Sequence, residues 1–152
     1  ESRFVCIGDG PKDYKDQLLN LAHDLDLEKS LIWVGDASDL RAAYNALDLC
    51  TLCSFTESAP NALLESMACE TLSVVSDVGG IRGIAGDNAI YSDPCDERSI
   101  KDAWISIINR DPESCKEIKQ KSRQIVVDNY SEDQMVSDTA ELLRSVISKV
   151  SQ

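Results

Sequence analysis

The sequence predicts an α/β domain in which a mainly parallel sheet is covered by helices on both faces. Three observations carry this reading. Short apolar runs rich in β-branched side chains alternate with longer stretches of helical period. The runs are continuously apolar, as strands buried on both faces require. Glycine, proline and aspartate punctuate the junctions, which marks turns between successive β and α units. At 152 residues the chain has the size of one domain, and it is read as a single domain over 1–152.

Arg3–Ile7 is the first strand, and Gly8-Asp9-Gly10-Pro11 stops it in a tight turn. A helix over Lys12–Asp26 follows, with Leu18, Leu19, Ala22 and Leu25 at helical spacing and charges on the remaining face. Ser30–Val34 is the second strand. It is broken by Gly35-Asp36-Ala37-Ser38-Asp39, where Ser38 or Asp39 caps a helix over Leu40–Ala46. Leu47–Ser54 is the third strand, Pro60–Cys69 a helix, Leu72–Ser76 the fourth strand, Gly79-Gly80 a turn and Ala89–Tyr91 a short fifth strand. Three helices end the chain, over Asp96–Ile108, Pro112–Asn129 and Ser131–Val150. Ser131 and Gln134 have the spacing of a capping box. The result is a Rossmann-like three-layer αβα arrangement. A doubly wound domain ordinarily places one more strand and helix ahead of Arg3, so the chain reads as part of a longer protein.

Composition narrows the function. With 43% hydrophobic and 28% charged residues the chain is globular, and its formal net charge of -12 opposes binding to nucleic acid or to an anionic membrane. An acidic protein still binds a small phosphate ester where helix-start amides supply local positive potential. The six cysteines lie mostly in apolar surroundings, as reduced core thiols do. Cys50 and Cys53 form a CxxC along a strand-like run, which sends the side chains to opposite faces, and no second Cys or His pair accompanies them; no metal is expected. No apolar run is long enough to span a bilayer and no signal peptide leads the chain, so no transmembrane segment is expected and the location is read as cytoplasmic. His23, the single histidine, reads as a helix-face residue without an obvious partner, and Asp9 and Asp36 as turn and cap residues.

The stretch from Thr56 to Thr71 leaves a strand, turns and opens a helix. Pro60 suits the first helical turn, where its missing N–H has no intrahelical partner. The amides of Ser58, Ala59, Asn61 and Ala62 then converge where an anion is stabilised. Helical steps place Leu63, Leu64, Met67 and Ala68 on one buried arc and Asn61 and Glu65 on the opposite edge, leaving Glu65 free to face a ligand. It lies about 7.5 Å further along the axis than Pro60. A carboxylate there suits ribose hydroxyls, while Glu57, ahead of the helix, suits the hydroxyls of a sugar.

Two glutamates, Glu57 and Glu65, with seven residues between them, followed by Met67-Ala68-Cys69 and Asp77-Val78-Gly79-Gly80, resemble the donor-binding half of retaining GT-B glycosyltransferases of family 4, the glycosyl transferases group 1. Gly8-Asp9-Gly10-Pro11, Trp33-Val34-Gly35 and Asn129-Tyr130-Ser131 extend the resemblance over nearly the whole chain. It implies the C-terminal half of a GT-B fold lacking its first strand. It implies an enzyme that moves a sugar from a nucleoside-diphosphate sugar to an acceptor hydroxyl with retention. Glu57 is then the catalytic residue at the donor sugar; the backbone at Ser58, Ala59, Pro60 and Asn61 meets sugar and diphosphate; Glu65 holds the ribose. Gly8 and Gly10 allow close approach to the phosphates, and the segment after Gly35 borders the base.

No metal or cofactor is implied beyond the donor itself. The partners implied are the nucleotide-sugar donor and an N-terminal acceptor-binding domain, through which alone a peripheral membrane association would arise. The basic residues that such enzymes direct at the diphosphate belong to the region ahead of Glu1, so the isolated chain is expected to be inactive. Ser58 and Ala59 stand where glycine and an aromatic residue are usual, and Glu70 and Leu72 where glycine and proline are. The first pair motivates an alternative, a non-catalytic binding or assembly module that retains the fold. A sugar-nucleotide epimerase of the same fold is a second alternative, for which no further acid and base residues are identified.

Overall fold

The structure, a computed structural model, describes residues 2–150. The chain divides into two compact units, Glu1–Ala43 and Tyr44–Gln152.

The first unit contains β1 (Phe4–Ile7), α1 (Lys12–Asp24) and β2 (Leu31–Gly35). The strands pair in parallel, with Phe4 opposite Leu31, Val5 opposite Ile32 and Cys6 opposite Trp33. A register shift then sets Ile7 against Gly35. The helix stops two residues earlier than its apolar spacing predicts. Asp26 takes φ 55, its N–H reaches the His23 carbonyl at 3.0 Å and the Leu27 N–H reaches the Ala22 carbonyl at 2.8 Å. This pair of bonds is a Schellman motif, and aspartate tolerates the left-handed turn well enough to hold it. Helix α2 (Leu40–Asn45) carries the chain into the second unit, and Asp39 rather than Ser38 caps it, accepting from the Ala42 N–H at 2.9 Å.

In the second unit β3 (Leu49–Leu52), α3 (Asn61–Ala68), β4 (Leu72–Ser76), α4 (Ile81–Ala85) and β5 (Ile90–Ser92) precede α5 (Glu97–Ile108), α6 (Pro112–Asn129) and α7 (Glu132–Val150). The strands lie in the order β3-β4-β5, all parallel. Central β4 is buried along its whole length, which explains why Leu72–Ser76 reads so clearly in the sequence. Its successive side chains serve opposite faces. Val75 packs with Leu63 and Met67 of α3, Ile81, Ile84 and Ala85 of α4, and Ile125 and Val126 of α6. Val74 packs with Ala103, Trp104 and Ile107 of α5 and with Ile118. Helices thus cover both faces of this sheet. Each fully buried aliphatic side chain here contributes about 1.5–3 kcal/mol. The buried hydroxyls are satisfied locally: Ser66 Oγ donates to the Leu63 carbonyl at 2.9 Å and lies 3.0 Å from Ser73 Oγ, and Thr71 Oγ1 donates to the Tyr44 carbonyl at 2.9 Å.

Aspartates cap α5 and α6: Asp96 accepts from the Arg98 N–H and Asp111 from the Ser114 N–H, both at 2.9 Å. At α7 the serine half of the capping box forms, Ser131 Oγ accepting from the Gln134 N–H at 3.2 Å, while the Gln134 amide donates to Asp138 at 2.6 Å. Among the described residues no helix is long and apolar enough to cross a membrane. Burial pushes the thiols of Cys6, Cys50 and Cys53 up, so all three hold their protons at neutral pH.

Helix α3 ends in a second Schellman motif. The Glu70 N–H donates to the Met67 carbonyl at 3.1 Å and the Thr71 N–H to the Ser66 carbonyl at 2.9 Å, with Glu70 at φ 58. Glycine is favoured here because it has no Cβ to crowd the following carbonyl. Glu70→Gly is therefore expected to stabilise the fold by about 0.5–1 kcal/mol, since the exposed Glu70–Arg123 pair it removes, 3.8 Å apart, contributes little. Urea titration of the two proteins checks this. A lower midpoint for the variant would show that Arg123 matters more than the backbone strain.

Candidate functional site

The segment between β3 and α3 carries Glu57, Ser58, Ala59 and Pro60. Pro60 is buried and extended, with φ -72 and ψ 120, and stands at the N-cap rather than inside the first turn as expected. Its extended ψ turns its carbonyl along the helix, where it accepts from the Leu63 N–H at 3.1 Å and the Leu64 N–H at 3.3 Å. The amides left without an intrahelical acceptor are then those of Asn61 and Ala62, the first two of α3. Ser58, Ala59 and Asn61 are exposed beside them. Glu57 is half-buried and accepts from Ser54 Oγ at 2.8 Å through Oε1, which fixes its carboxylate just ahead of the helix start.

The turn after β4 holds this segment in place. Gly79 sits at φ 53, and a Cβ built on it would lie 1.7 Å from the Glu57 carbonyl oxygen. One on Gly80 would lie 2.1 Å from the Ser58 carbonyl oxygen. The Gly80 N–H also donates to the Glu57 carbonyl at 3.4 Å. Two backbones meet here at a distance that only paired glycines permit. The sequence offers Gly79-Gly80 as a turn and as part of the motif that carries the family resemblance, but not its backbone partner, Glu57-Ser58, which lies in a separate segment of the chain.

Glu65 is not free, as the helical wheel suggested. It is half-buried on α3 and its Oε2 accepts from the Tyr44 hydroxyl at 3.1 Å. The wheel placed it correctly away from Leu63 and Met67, but a wheel describes one helix and Tyr44 arrives from α2. The bond orients the carboxylate and leaves acceptor capacity for hydroxyl donors. Burial first, and then the Glu65 carboxylate, hold the Tyr44 phenol well above its ordinary value of 10.0. The unfolded chain therefore ionises Tyr44 first as pH rises past about 10, and stability contributed by this phenol is complete below that pH and lost above it. Tyr44→Phe is expected to remove about 1–2 kcal/mol at neutral pH and to flatten part of the alkaline decline. Urea midpoints of both proteins from neutral pH to about pH 11 check it. Parallel curves would dissociate Tyr44 from that decline.

In the first unit the structure brings Gly8 and Gly35 together: the Gly8 N–H donates to the Gly35 carbonyl at 2.8 Å, with φ 110 and 73 at the two residues. Gly10 follows at the same turn, its N–H donating to Asp9 Oδ1 at 3.2 Å. Lys15 binds the same oxygen at 3.2 Å and lies over the Trp33 ring, 5.0 Å from its centroid. The Lys15 and Gly10 hydrogen bonds hold the Asp9 carboxyl below its ordinary range. Asp9 is thus a turn residue, as its position predicts. His23 has a partner that the sequence did not reveal, hydrogen-bonding through Nδ1 to Glu28. Among the described residues no group of His, Cys, Asp and Glu is arranged to hold a metal ion.

The second unit therefore presents a carboxylate fixed before a helix start, two helix-start amides and a second carboxylate further along the same helix. Amides suit an anion, worth about 0.3–1 kcal/mol from the helix dipole at an exposed end, and the carboxylates suit hydroxyl donors on either side. A ligand that combines an anionic centre with polyol groups matches this order.

Comparison with known proteins agrees with the architecture. Over 139 residues the chain is 26% identical to N-acetyl-alpha-D-glucosaminyl L-malate synthase of Bacillus anthracis, covering 90% of this chain and 36% of that protein. Its structure superposes on that of Anabaena HepE in complex with UDP with a TM-score of 0.87 at 21% identity, covering 95% of this chain and 41% of HepE. The C-terminal domain of the group 1 glycosyl transferase LpcC of Francisella tularensis gives a TM-score of 0.74 at 24% identity, covering 86% of this chain and 70% of that one. The α/β fold is thus the one found in GT-B glycosyltransferase domains, and the chain spans little more than a third of the Bacillus relative's length. The model of the glycosyl transferases group 1 matches residues 1–110, and the chain belongs to this family.

Proposed function

We propose that the chain is a single nucleotide-sugar-binding domain, the C-terminal, donor-binding part of a two-domain retaining glycosyltransferase of the family 4 type. The full enzyme moves a sugar from a nucleoside diphosphate to an acceptor hydroxyl. The observation that carries the reading is the seating of the Glu57–Ser58 backbone against Gly79 and Gly80, with a Cβ at Gly79 only 1.7 Å from the Glu57 carbonyl oxygen. A flexible loop would not need two glycines to bring a glutamate this close to a helix start; a loop that presents one carboxylate at a fixed place does.

In this reading the amides at the start of α3, with the backbone of Ser58, Ala59 and Pro60, take the diphosphate and the near side of the sugar. Glu57 orients the transferred sugar, and Glu65, held by Tyr44, accepts from the ribose hydroxyls. Retention follows from attack of the acceptor on the face from which the diphosphate departs. Gly8 and Gly10 leave backbone room for a phosphate, and the segment after Gly35 borders the base. Metal assistance is not invoked, because helix-start amides supply positive potential at the leaving group. HepE, a neighbour in fold, is described in complex with UDP, which supports a nucleotide donor.

Isotope-labelled chain titrated with UDP, GDP and ADP and with their glucose conjugates tests the reading. Amide shifts concentrated in residues 57–65 are expected, with one base preferred. A flat response of that segment to all of them removes donor binding. Retention is checked on the full-length enzyme by the anomeric configuration of its product.

A further inference from the structure

The turn that seats Glu57 is made of the residue type least able to hold a shape. Gly79 and Gly80 stand exposed at its apex, with no side chains to pack and more backbone freedom than any other residue. The Gly80 N–H bond to the Glu57 carbonyl is long at 3.4 Å and weak for that reason. The pair must be held from its flanks. Val78 packs against the core cluster and Ile81 is buried within it, which fixes the depth of the turn. Across its mouth, Asp77 and Arg82 meet in a two-pronged bond: Arg82 Nε donates to Asp77 Oδ1 at 2.6 Å and Nη2 to Oδ2 at 2.5 Å. Each partner is itself anchored. The Asp77 N–H donates to the Ser92 carbonyl at 3.1 Å, at the end of β5. The Arg82 guanidinium lies over the Tyr91 ring, 4.0 Å from its centroid, and the Tyr91 hydroxyl donates to the Gly86 carbonyl at 2.6 Å.

We infer that Asp77 and Arg82 are positioning residues for Glu57: their two-pronged bond closes the glycine turn at its ends and holds it where the Glu57-Ser58 backbone rests. A planar guanidinium that meets both oxygens of a carboxylate fixes direction as well as distance, which a single ammonium contact does not. Folding stability does not account for such a bond here. The two side chains are 58% and 46% exposed, and ion pairs that face water contribute little to folding. The effect of the clasp is therefore on local geometry. Its path is short, from Asp77 and Arg82 through the turn to the Gly80 N–H and the Glu57 carbonyl. Ser54 Oγ holds the other end of the same residue, its carboxylate, at 2.8 Å. Backbone and side chain of Glu57 are thus located by separate devices, and a loose turn would let the carboxylate swing about its tether to Ser54. Neither Asp77 nor Arg82 needs to touch a substrate to act in this way.

That the clasp holds the loop stands on the geometry alone; that it serves turnover rests on the donor reading above. Asp77→Asn and Arg82→Gln, each neutral and close in shape, are made singly and together. In the labelled chain both are expected to move the amide signals of residues 57 and 58 with little change in the urea midpoint. Unmoved signals overturn the inference. In the full-length enzyme each is expected to lower kcat about tenfold with the donor KM within about twofold. The double variant should fall no further than either single one, because all three break the same bond. Arg82→Lys keeps the charge without the fork and should resemble Arg82→Gln; parent activity with lysine overturns the geometric role. The decisive comparison adds Arg82→Gln to Glu57→Gln. A residue that acts only through the Glu57 carboxylate loses its effect once that carboxylate is gone, so less than about a twofold further loss is expected. The same tenfold loss in both backgrounds, or a raised donor KM, overturns the inference and leaves the donor reading standing. A Glu57→Gln enzyme with the parent kcat removes the role given to Glu57 and the catalytic part of the inference with it, while the amide signals still decide whether the clasp holds the loop.

Discussion

Gly79→Ala is expected to lower stability by about 3–5 kcal/mol, the largest effect among the glycine-to-alanine changes of this chain. Two terms add. The residue sits at φ 53, where an L side chain costs about 1–2 kcal/mol. Its new Cβ would also lie 1.7 Å from the Glu57 carbonyl oxygen and 2.9 Å from the carbonyl carbon, both backbone atoms that no rotamer change can move. The other glycines separate the terms. Gly86 has φ 52, ψ -126 and nothing within 4 Å of its Cβ, so Gly86→Ala carries the cost of a positive φ without a clash, about 1–3 kcal/mol. Gly80 has the ordinary φ of -83 with a Cβ 2.1 Å from the Ser58 carbonyl oxygen, so Gly80→Ala isolates the clash at about 2–3 kcal/mol. The Gly79→Ala urea midpoint should be the lowest of the three, and the amide signals of residues 57 and 58 should move in the Gly79 and Gly80 variants only. A Gly79→Ala protein no less stable than Gly86→Ala would mean that the two backbones are not in contact.

What the sequence discloses and what it conceals divide along physical lines. β4 and α6 read correctly to the residue, because Leu72–Ser76 is apolar enough for burial on both faces and Asp111-Pro112 carries its own start signal. The ends of α1 and α3 differ from expectation for one reason. A Schellman motif usually announces itself with glycine, and here Asp26 and Glu70 fill the left-handed position. Helix α4 escapes because Ile81–Ala85, interrupted by Gly83, is too short to show a period. At the site, the order of Glu57, the helix start and Glu65 is local and therefore visible. The three contacts that give those residues fixed positions are less so. Ser54 with Glu57 is near in sequence, but Tyr44 with Glu65 and Gly79 with Glu57 join separate elements through space.

On the proposed mechanism, Glu57→Gln in the full-length enzyme is expected to lower kcat about 10²–10³-fold with a much smaller change in the donor KM. As the diphosphate departs, the anomeric carbon and ring oxygen gain positive charge, and a carboxylate beside the sugar stabilises that charge more than it stabilises the bound donor. Glutamine keeps the shape and an oxygen to accept from Ser54, now 2.8 Å from Glu57 Oε1, but carries no charge. The loss therefore falls on the transition state. Ser54→Ala leaves the charge and removes its tether, so a smaller loss of about tenfold in kcat is expected. Glu65→Gln acts differently. Its proposed ribose partner does not react, so the variant weakens donor and transition state alike and raises KM while kcat stays nearly constant. Steady-state kinetics of the three variants give the pattern directly. A Glu57→Gln enzyme within about threefold of the parent kcat, or a Glu65→Gln enzyme with the larger kcat loss, would reverse the roles given to the two carboxylates.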